Sequence, residues 1–228
     1  MNILNSVPAD LRRFCSYDHG SLGIYHVYGF YSYIRSKKRL KEVVRELRKK
    51  ESSCAKYRQE HDWTGYLLIH ESPHRAFALF MVRNLVEDSR QYWELLQMIW
   101  MHDAYSGPKF WPYVSLLSDT RSGREHLMTD SDRGTFDALP DEFLIWRGTT
   151  KRKKAGWSWA LNIEVALWFA KRKREPEMVI EAVCRKADVI AYLNGRKEEE
   201  IIIDPKNVKV RKRVDVTECP QITPPWSR

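Results

Sequence analysis

Gly156-Trp157-Ser158-Trp159-Ala160, followed by Asn162-Ile163-Glu164-Val165-Ala166-Leu167-Trp168-Phe169-Ala170, decides how the chain folds. The first run alternates bulky and small residues with the period of two that marks a strand. The second carries Val165, Ala166, Phe169 and Ala170 on one helical face, with Asn162 placed as its cap over about Asn162 to Arg174. Short β-like runs lie to either side: Phe143–Trp146 before it, then Met178–Cys184, Val189–Leu193, Glu200–Ile203 and Val208–Val214 after it. Two strands, a helix and four strands predict an α+β half built on a mostly antiparallel sheet.

Upstream of Pro140 the pattern changes to that of helices. Leu40, Val43, Val44 and Leu47 recur at i, i+3, i+4, i+7 within Lys37–Lys50, with charge on the opposite side. Ser72-Pro73 reads as a cap followed by proline at the first helical position. Asp88 to about Ala104 carries Tyr92, Leu95, Leu96, Ile99 and Trp100 on one side, and Ser106-Gly107-Pro108 ends it. The aromatic stretch Tyr25 to Tyr33 fits strand and helix equally. The polar segment Asp119–Arg133 reads as a linker or surface loop. The expected organisation is a mostly helical region over 1–135 with no role assigned, a β-rich core over 136–215 and a loosely ordered, proline-containing tail over 216–228.

Bulk composition excludes several classes. With 43% hydrophobic and 30% charged residues the chain suits a folded domain rather than a disordered one. Four scattered cysteines show no zinc-site spacing, so no metal is expected, and they are too few for a disulfide framework. No apolar run approaches membrane-spanning length, and the first residues lack the pattern of a secretory signal, so a cytoplasmic protein without a membrane partner is expected. The net charge is +9, and segment 144–213, with 18 Lys+Arg against 9 Asp+Glu, accounts for all of it. Such a segment attracts nucleic acid by counterion release and also suits an anionic dinucleotide; a solvated basic surface is the plain alternative.

Three pieces carry chemistry. Ile145-Trp146-Arg147-Gly148 ends a strand in Arg-Gly. Gly156–Ala160 offers one hydroxyl, Ser158, flanked by two tryptophans. Glu198-Glu199-Glu200-Ile201-Ile202-Ile203 leads acidic residues into a buried strand. Glu198 and Glu200 stand two apart on that strand, so both point to the same face and repel each other, a pairing that folding alone does not explain. In this order the three pieces resemble the Arg–Ser–Glu signature of the mono-ADP-ribosyltransferase family over about a third of the chain. One position departs from it, because Ala160 stands where that family has a second hydroxyl.

The resemblance implies an enzyme that takes NAD as co-substrate and transfers its ADP-ribose. Arg147 would contact the pyrophosphate, and Gly148 would let the backbone come close. Ser158 would support the catalytic glutamate and the nicotinamide ribose. Glu200 would hold the ribose and stabilise its oxocarbenium character, and Glu198 would activate the acceptor. Phe169, on the helix behind, and Tyr192 would complete the NAD site. The loop Tyr192–Lys197 corresponds to one that relatives use to read their target, so Tyr192 would stack on a ring, unless it is core, and Arg196 and Lys197 would meet a phosphate. Lys151, Arg152, Lys153 and Lys154, with Lys171–Arg174, would form a polyanion track or a soluble rim.

Glu-x-Glu members often modify arginine side chains, which favours a protein acceptor, whereas the localised charge favours nucleic acid, RNA in particular. The chain resembles cytosolic bacterial or phage toxins, among them that of an anti-phage toxin–antitoxin–chaperone system, so an antitoxin or inhibitor protein is a further expected partner. An NAD glycohydrolase with water as acceptor, and a basic nucleic-acid-binding module without turnover, are the alternatives.

Overall fold

In the second half of the chain, the Asn162 side chain accepts a hydrogen bond from the Glu164 amide at 2.8 Å and starts a helix, α7 (Ile163–Lys171). The helix buries Val165, Ala166 and Ala170, the face expected from the spacing. The structure is a computed structural model that describes residues 3–18, 21–103, 110–150, 156–172, 177–220 and 223–224. The chain divides into two compact units, Met1–Arg121 and Ser122–Arg228. Both mix helix with antiparallel sheet, and no helix among the described residues is long and apolar enough to cross a membrane.

After two short 3-10 helices, Ile3–Ser6 and Ala9–Phe14, the first unit forms a three-stranded antiparallel sheet, β1 (Cys15–Asp18), β2 (Ser21–His26) and β3 (Gly29–Ile34), in that order. The aromatic stretch, which fitted strand and helix equally, is therefore a hairpin, and the rest of the unit is mostly helical, as expected. Leu22, Ile24 and Ile34 point inward against Leu40, Val43 and Leu47 of α1 (Lys37–Gln59). Helices α2 (Trp63–Leu68), α3 (Ser72–Val82), α4 (Ser89–His102) and α5 (Trp111–Leu117) complete the unit. Ser72 is already helical, and Glu71 holds the cap position without a side-chain bond, one residue earlier than expected. Asp88 caps α4 by accepting from the Arg90 and Gln91 amides.

Two histidines are buried in this unit. His26 Nδ1 accepts from the Tyr28 amide at 3.3 Å, and His70 Nδ1 lies 2.7 Å from the Tyr66 carbonyl. Desolvation lowers the pKa of both below the ordinary 6.5, and in His70 the bond to that carbonyl opposes the shift. The neutral forms belong to the folded state, while the unfolded chain protonates near 6.5. The unfolded state therefore takes up more protons as pH falls below that value, and stability falls with it. Urea midpoints measured from pH 8 down to 5 should drop, and the drop should flatten in a His26→Phe/His70→Leu variant. A midpoint that is constant or rises on acidification would refute the assignment.

The second unit is built on a six-stranded antiparallel sheet. Its strands are β4 (Glu142–Thr150), β5 (Ser158–Ala160), β6 (Glu177–Arg185), β7 (Val189–Leu193), β8 (Glu200–Ile203) and β9 (Lys209–Asp215), in spatial order β7-β8-β5-β4-β6-β9. β4 and β6 pair along nine residues, from Glu142↔Arg185 to Thr150↔Glu177. The segment expected as a linker or surface loop contains the boundary between the two units, and from Arg124 onward it is packed structure. Leu127 and Met128 are buried, and α6 (Asp130–Asp137) begins with a capping box between Thr129 and Asp132. Past β9, Val216 is buried and the Thr217 carbonyl accepts from Lys171, so the start of the expected tail belongs to the core.

Candidate active site

The three strands that carry the singled-out residues are neighbours, β8-β5-β4. Ala160 stands opposite both Trp146 and Glu200, so these three side chains share a face. Ser158 pairs with Ile202 and stands on the same face, diagonal to Glu200. The carbonyl of Trp157 accepts from Ile203, and the Leu161 amide donates to Glu199, which directs these backbone groups of β5 toward β8. By alternation the Ser158 carbonyl faces β4.

There the ladder ends, because β4 and β5 share the single pair Trp146↔Ala160. The Arg147 guanidinium fills the opening, and its Nη1 donates to the Ser158 carbonyl. Gly156 gives it room, since a Cβ at that position would stand 2.7 Å from Arg147 Nη2. Trp159 Nε1 donates to the Gly156 carbonyl at 2.7 Å and braces the turn. Arg147 Nε is buried with no hydrogen-bond partner among the described residues. Burial pulls the pKa of this guanidinium down, and the Glu200 carboxylate acts against that. A buried cation with an unused donor is the environment into which an anionic group fits.

Glu200 opens β8 and is buried at 4% exposure. Glu198 is not on the strand, a difference from the sequence expectation. It lies in the turn before it, where Lys197 (φ 58°) and Glu199 (φ 46°) both adopt left-handed backbone. Asn194 holds the turn, its carbonyl accepting from the Lys197 amide at 2.8 Å and its Oδ1 from the Glu199 amide at 3.2 Å. Its own amide donates to Asp132 of α6 at 3.1 Å. The two carboxylates nonetheless converge on Arg196. Arg196 Nε donates to Glu198 Oε2 at 3.0 Å and Nη2 to Glu200 Oε2 at 2.8 Å. Burial pushes the Glu198 pKa above the ordinary value, Arg196 lowers it, and the Glu200 charge raises it further.

The remaining expected residues divide. Gly148 lies against α7, facing the Ala166 carbonyl, the Ala170 amide and Phe169. Phe169 is half-buried, with Trp168 at 4.9 Å between ring centroids. Tyr192 is core: it pairs with Ile201 at 2% exposure, and its amide donates to Met128 Sδ, so its ring is not presented for stacking. Lys197 is exposed. Lys171 does not belong to a basic rim, because it is buried against Glu177 at 2.6 Å. Arg172 packs over Trp168 at 4.4 Å. Lys151, Arg152, Lys153, Lys154, Lys173 and Arg174 lie outside the described residues.

Asp132, Met128 and Gly156 position the site without having stood out in the sequence. Only the T-x-x-D spacing before α6 signalled one of them. Among the described residues, no group of three His, Cys, Asp or Glu side chains is placed to hold a metal. A shallow cavity of about 430 Å³ lies in the first unit, lined by residues including Arg58, His61, Trp63 and Asn84. It holds none of the chemistry-bearing residues, and the carboxylate–guanidinium cluster is the better candidate on chemical grounds. Comparison with family models, with curated proteins and with solved structures finds no match for the chain.

Proposed function

We propose that the second unit is an NAD-dependent ADP-ribosyltransferase that transfers ADP-ribose to a macromolecule in the cytoplasm, as a toxin or an enzyme of phage conflict. The adjacency of β8, β5 and β4 supports the reading most, since it sets Ser158 diagonal to Glu200 and brings the Arg147 guanidinium onto the Ser158 carbonyl, while the turn before β8 joins Glu198 to Glu200 through Arg196. The orphaned Nε of Arg147 fits a pyrophosphate oxygen. Glu200 is the buried anion suited to accept from a ribose hydroxyl and to stabilise the oxocarbenium-like centre. The bond from ribose C1″ to the nicotinamide nitrogen breaks, and its electron pair leaves with neutral nicotinamide. The acceptor atom then bonds to C1″ and gives its proton to Glu198.

Because burial raises the Glu198 pKa, the acid limb of activity should lie above the range of an ordinary glutamate and move in a Glu198→Gln variant. An acid limb unchanged by Glu198→Gln would remove Glu198 from the role of base.

RNA is the favoured acceptor, on the charge of segment 144–213. A second reading, transfer to protein arginine, draws on the fit of a guanidinium between Glu198 and Glu200. Incubation of the purified chain with labelled NAD⁺ and cell lysate, separated into protein, RNA and DNA, tests the proposal. Label in one fraction that depends on Glu200 is the expected result. Free ADP-ribose alone would replace transferase by glycohydrolase, and no NAD⁺ turnover would remove both.

A further inference from the structure

β9 closes one side of the six-stranded sheet, and its sequence, Lys-Val-Arg-Lys-Arg-Val-Asp, is exposed at all seven positions. Lys209, Arg211, Lys212 and Arg213 make it strongly cationic. In a regular antiparallel edge, alternation divides such side chains evenly between the two faces. Here the register shifts. Val210 stands opposite Ala182 and Lys212 opposite Glu181, so Arg211 has no partner residue of its own. The extra residue brings Arg211 to the side of Lys212, where its Nε lies 4.0 Å from Glu181 Oε1. Lys209, opposite Val183, shares that face by alternation. Three cations thus gather on one face beside one carboxylate.

That face is also the face of the candidate site. Direct cross-strand pairs join Glu200 to Ala160, Ala160 to Trp146, Trp146 to Glu181 and Glu181 to Lys212, one row across five strands. Four strand spacings of about 4.8 Å set Lys212 roughly 19 Å from Glu200. A nucleotide that reaches Glu200, 4% exposed, must stand clear of any base stack, which selects a single-stranded substrate. Its flanking phosphates then run out over the sheet, where cations at a distance of a few nucleotides hold them by counterion release. Edge strands also carry lysines simply to avoid pairing with a second sheet. That protection needs charge along the strand, but not a shift that collects neighbouring cations on the face of the site. An acidic peptide added as a further strand would pair along the whole edge, which the same shift interrupts.

We infer that Lys209, Arg211 and Lys212 form an outlying docking site on β9 for the phosphates of single-stranded RNA that flank the acceptor nucleotide. The inference rests on the transferase reading with RNA as acceptor, and it adds a binding surface at the far side of the sheet from the carboxylates.

The test uses the full chain as wild type, as Arg211→Gln/Lys212→Gln, and as a control, Lys38→Gln/Lys41→Gln, at exposed positions of α1. Each is checked by thermal unfolding and size exclusion. In one arm, a fluorescein-labelled single-stranded RNA 12-mer and an oligoglutamate peptide of equal length are titrated without NAD⁺ across a range of salt concentrations. In the other, labelled NAD⁺ is supplied with and without the RNA. For Arg211→Gln/Lys212→Gln we expect a salt slope smaller by about 1.4, two lost contacts with a single strand at about 0.7 each, and an affinity at 0.1 M salt lower by roughly tenfold or more. Label on RNA should fall in the same variant, while nicotinamide release without RNA stays as in the wild type. RNA affinity equal to the wild type, an equal loss in the α1 control, or tighter binding of the peptide than of the RNA would each overturn the assignment. Self-association of the β9 variant with RNA affinity intact would do so too, and would return β9 to edge protection. If the wild type turns over no NAD⁺, the transferase reading fails, and the RNA titration still decides whether β9 meets RNA.

Discussion

Glu200→Gln is expected to lower NAD⁺ turnover by about a hundred- to a thousandfold, the loss that follows removal of one preorganised electrostatic stabiliser. The substitution keeps the size of the side chain and an oxygen that can still accept from Arg196, so packing at this 4%-exposed position is preserved. What it removes is the negative charge that faces both Arg196 and, by its field, Arg147. Folding should suffer by about 1–2 kcal/mol, the scale of one charge-assisted hydrogen bond reduced to a neutral one. Steady-state nicotinamide release, beside a thermal melt, separates the two effects. Glu199→Gln is the control, because Glu199 stands between the two carboxylates in sequence but contributes its backbone to the Asn194 and Leu161 contacts. Full turnover by Glu200→Gln would remove the residue from the chemistry.

Most strands of the second unit were legible because they are apolar runs bounded by turn residues, though β9 (Lys209–Asp215) is charged and exposed along its length. Val189–Leu193 and Glu200–Ile203 have the bounds the sequence implied. The carboxylate pair was legible as a pair, but not in its geometry. Strand alternation placed Glu198 and Glu200 on one face, whereas two left-handed residues, neither a glycine, fold Glu198 back to the same neighbourhood by another route. Nothing in the local sequence announces left-handed backbone at Lys197 and Glu199, because the contacts that hold it come from Asn194 and, beyond it, from Asp132. Such strain is tolerated where surrounding structure over-determines it, and it gathers at functional sites.

Arg196 was legible as a cation in a target loop, yet its partners depend on that fold of the loop. Tyr192 stood open between a ring for stacking, which the family resemblance implied, and core; pairing with Ile201 and the contact with Met128 claim it for the core. In the first unit, the ambiguity of Tyr25–Tyr33 was resolved by β1, whose sequence gave no strong signal of its own. Gly23 belongs to that solution, because a Cβ there would stand 2.7 Å from the Tyr25 ring.

Gly148→Ala should destabilise the second unit by about 3 kcal/mol, the upper part of the usual range for overpacking. The added Cβ would stand 2.1 Å from the Ala166 carbonyl oxygen, 2.5 Å from the Ala170 nitrogen and 2.9 Å from Phe169 Cβ. Two of these are backbone atoms of α7, so no side-chain rotation relieves the contact. The helix cannot retreat freely either, since Ala166 and Ala170 pack with Val179 and Val216, and Lys171 at its end pairs with Glu177 of β6. Gly156→Ala provides the contrast. There the nearest atoms to the new Cβ belong to the Arg147 guanidinium, at 2.7, 2.8 and 3.2 Å, which is the far end of a side chain. The guanidinium must then leave the Ser158 carbonyl, which should cost about 1–3 kcal/mol, the scale of one hydrogen bond from a buried charged group, offset in part by the lower entropy of the unfolded chain. NAD⁺ turnover should fall with it. The same substitution thus reads out on stability alone at one glycine and on chemistry as well at the other. Measured by urea denaturation and by nicotinamide release, a Gly148→Ala variant as stable as wild type would mean that α7 does not sit on β4 as described. A fully active Gly156→Ala variant would mean that the position of Arg147 in the opening between β4 and β5 does not matter to the reaction.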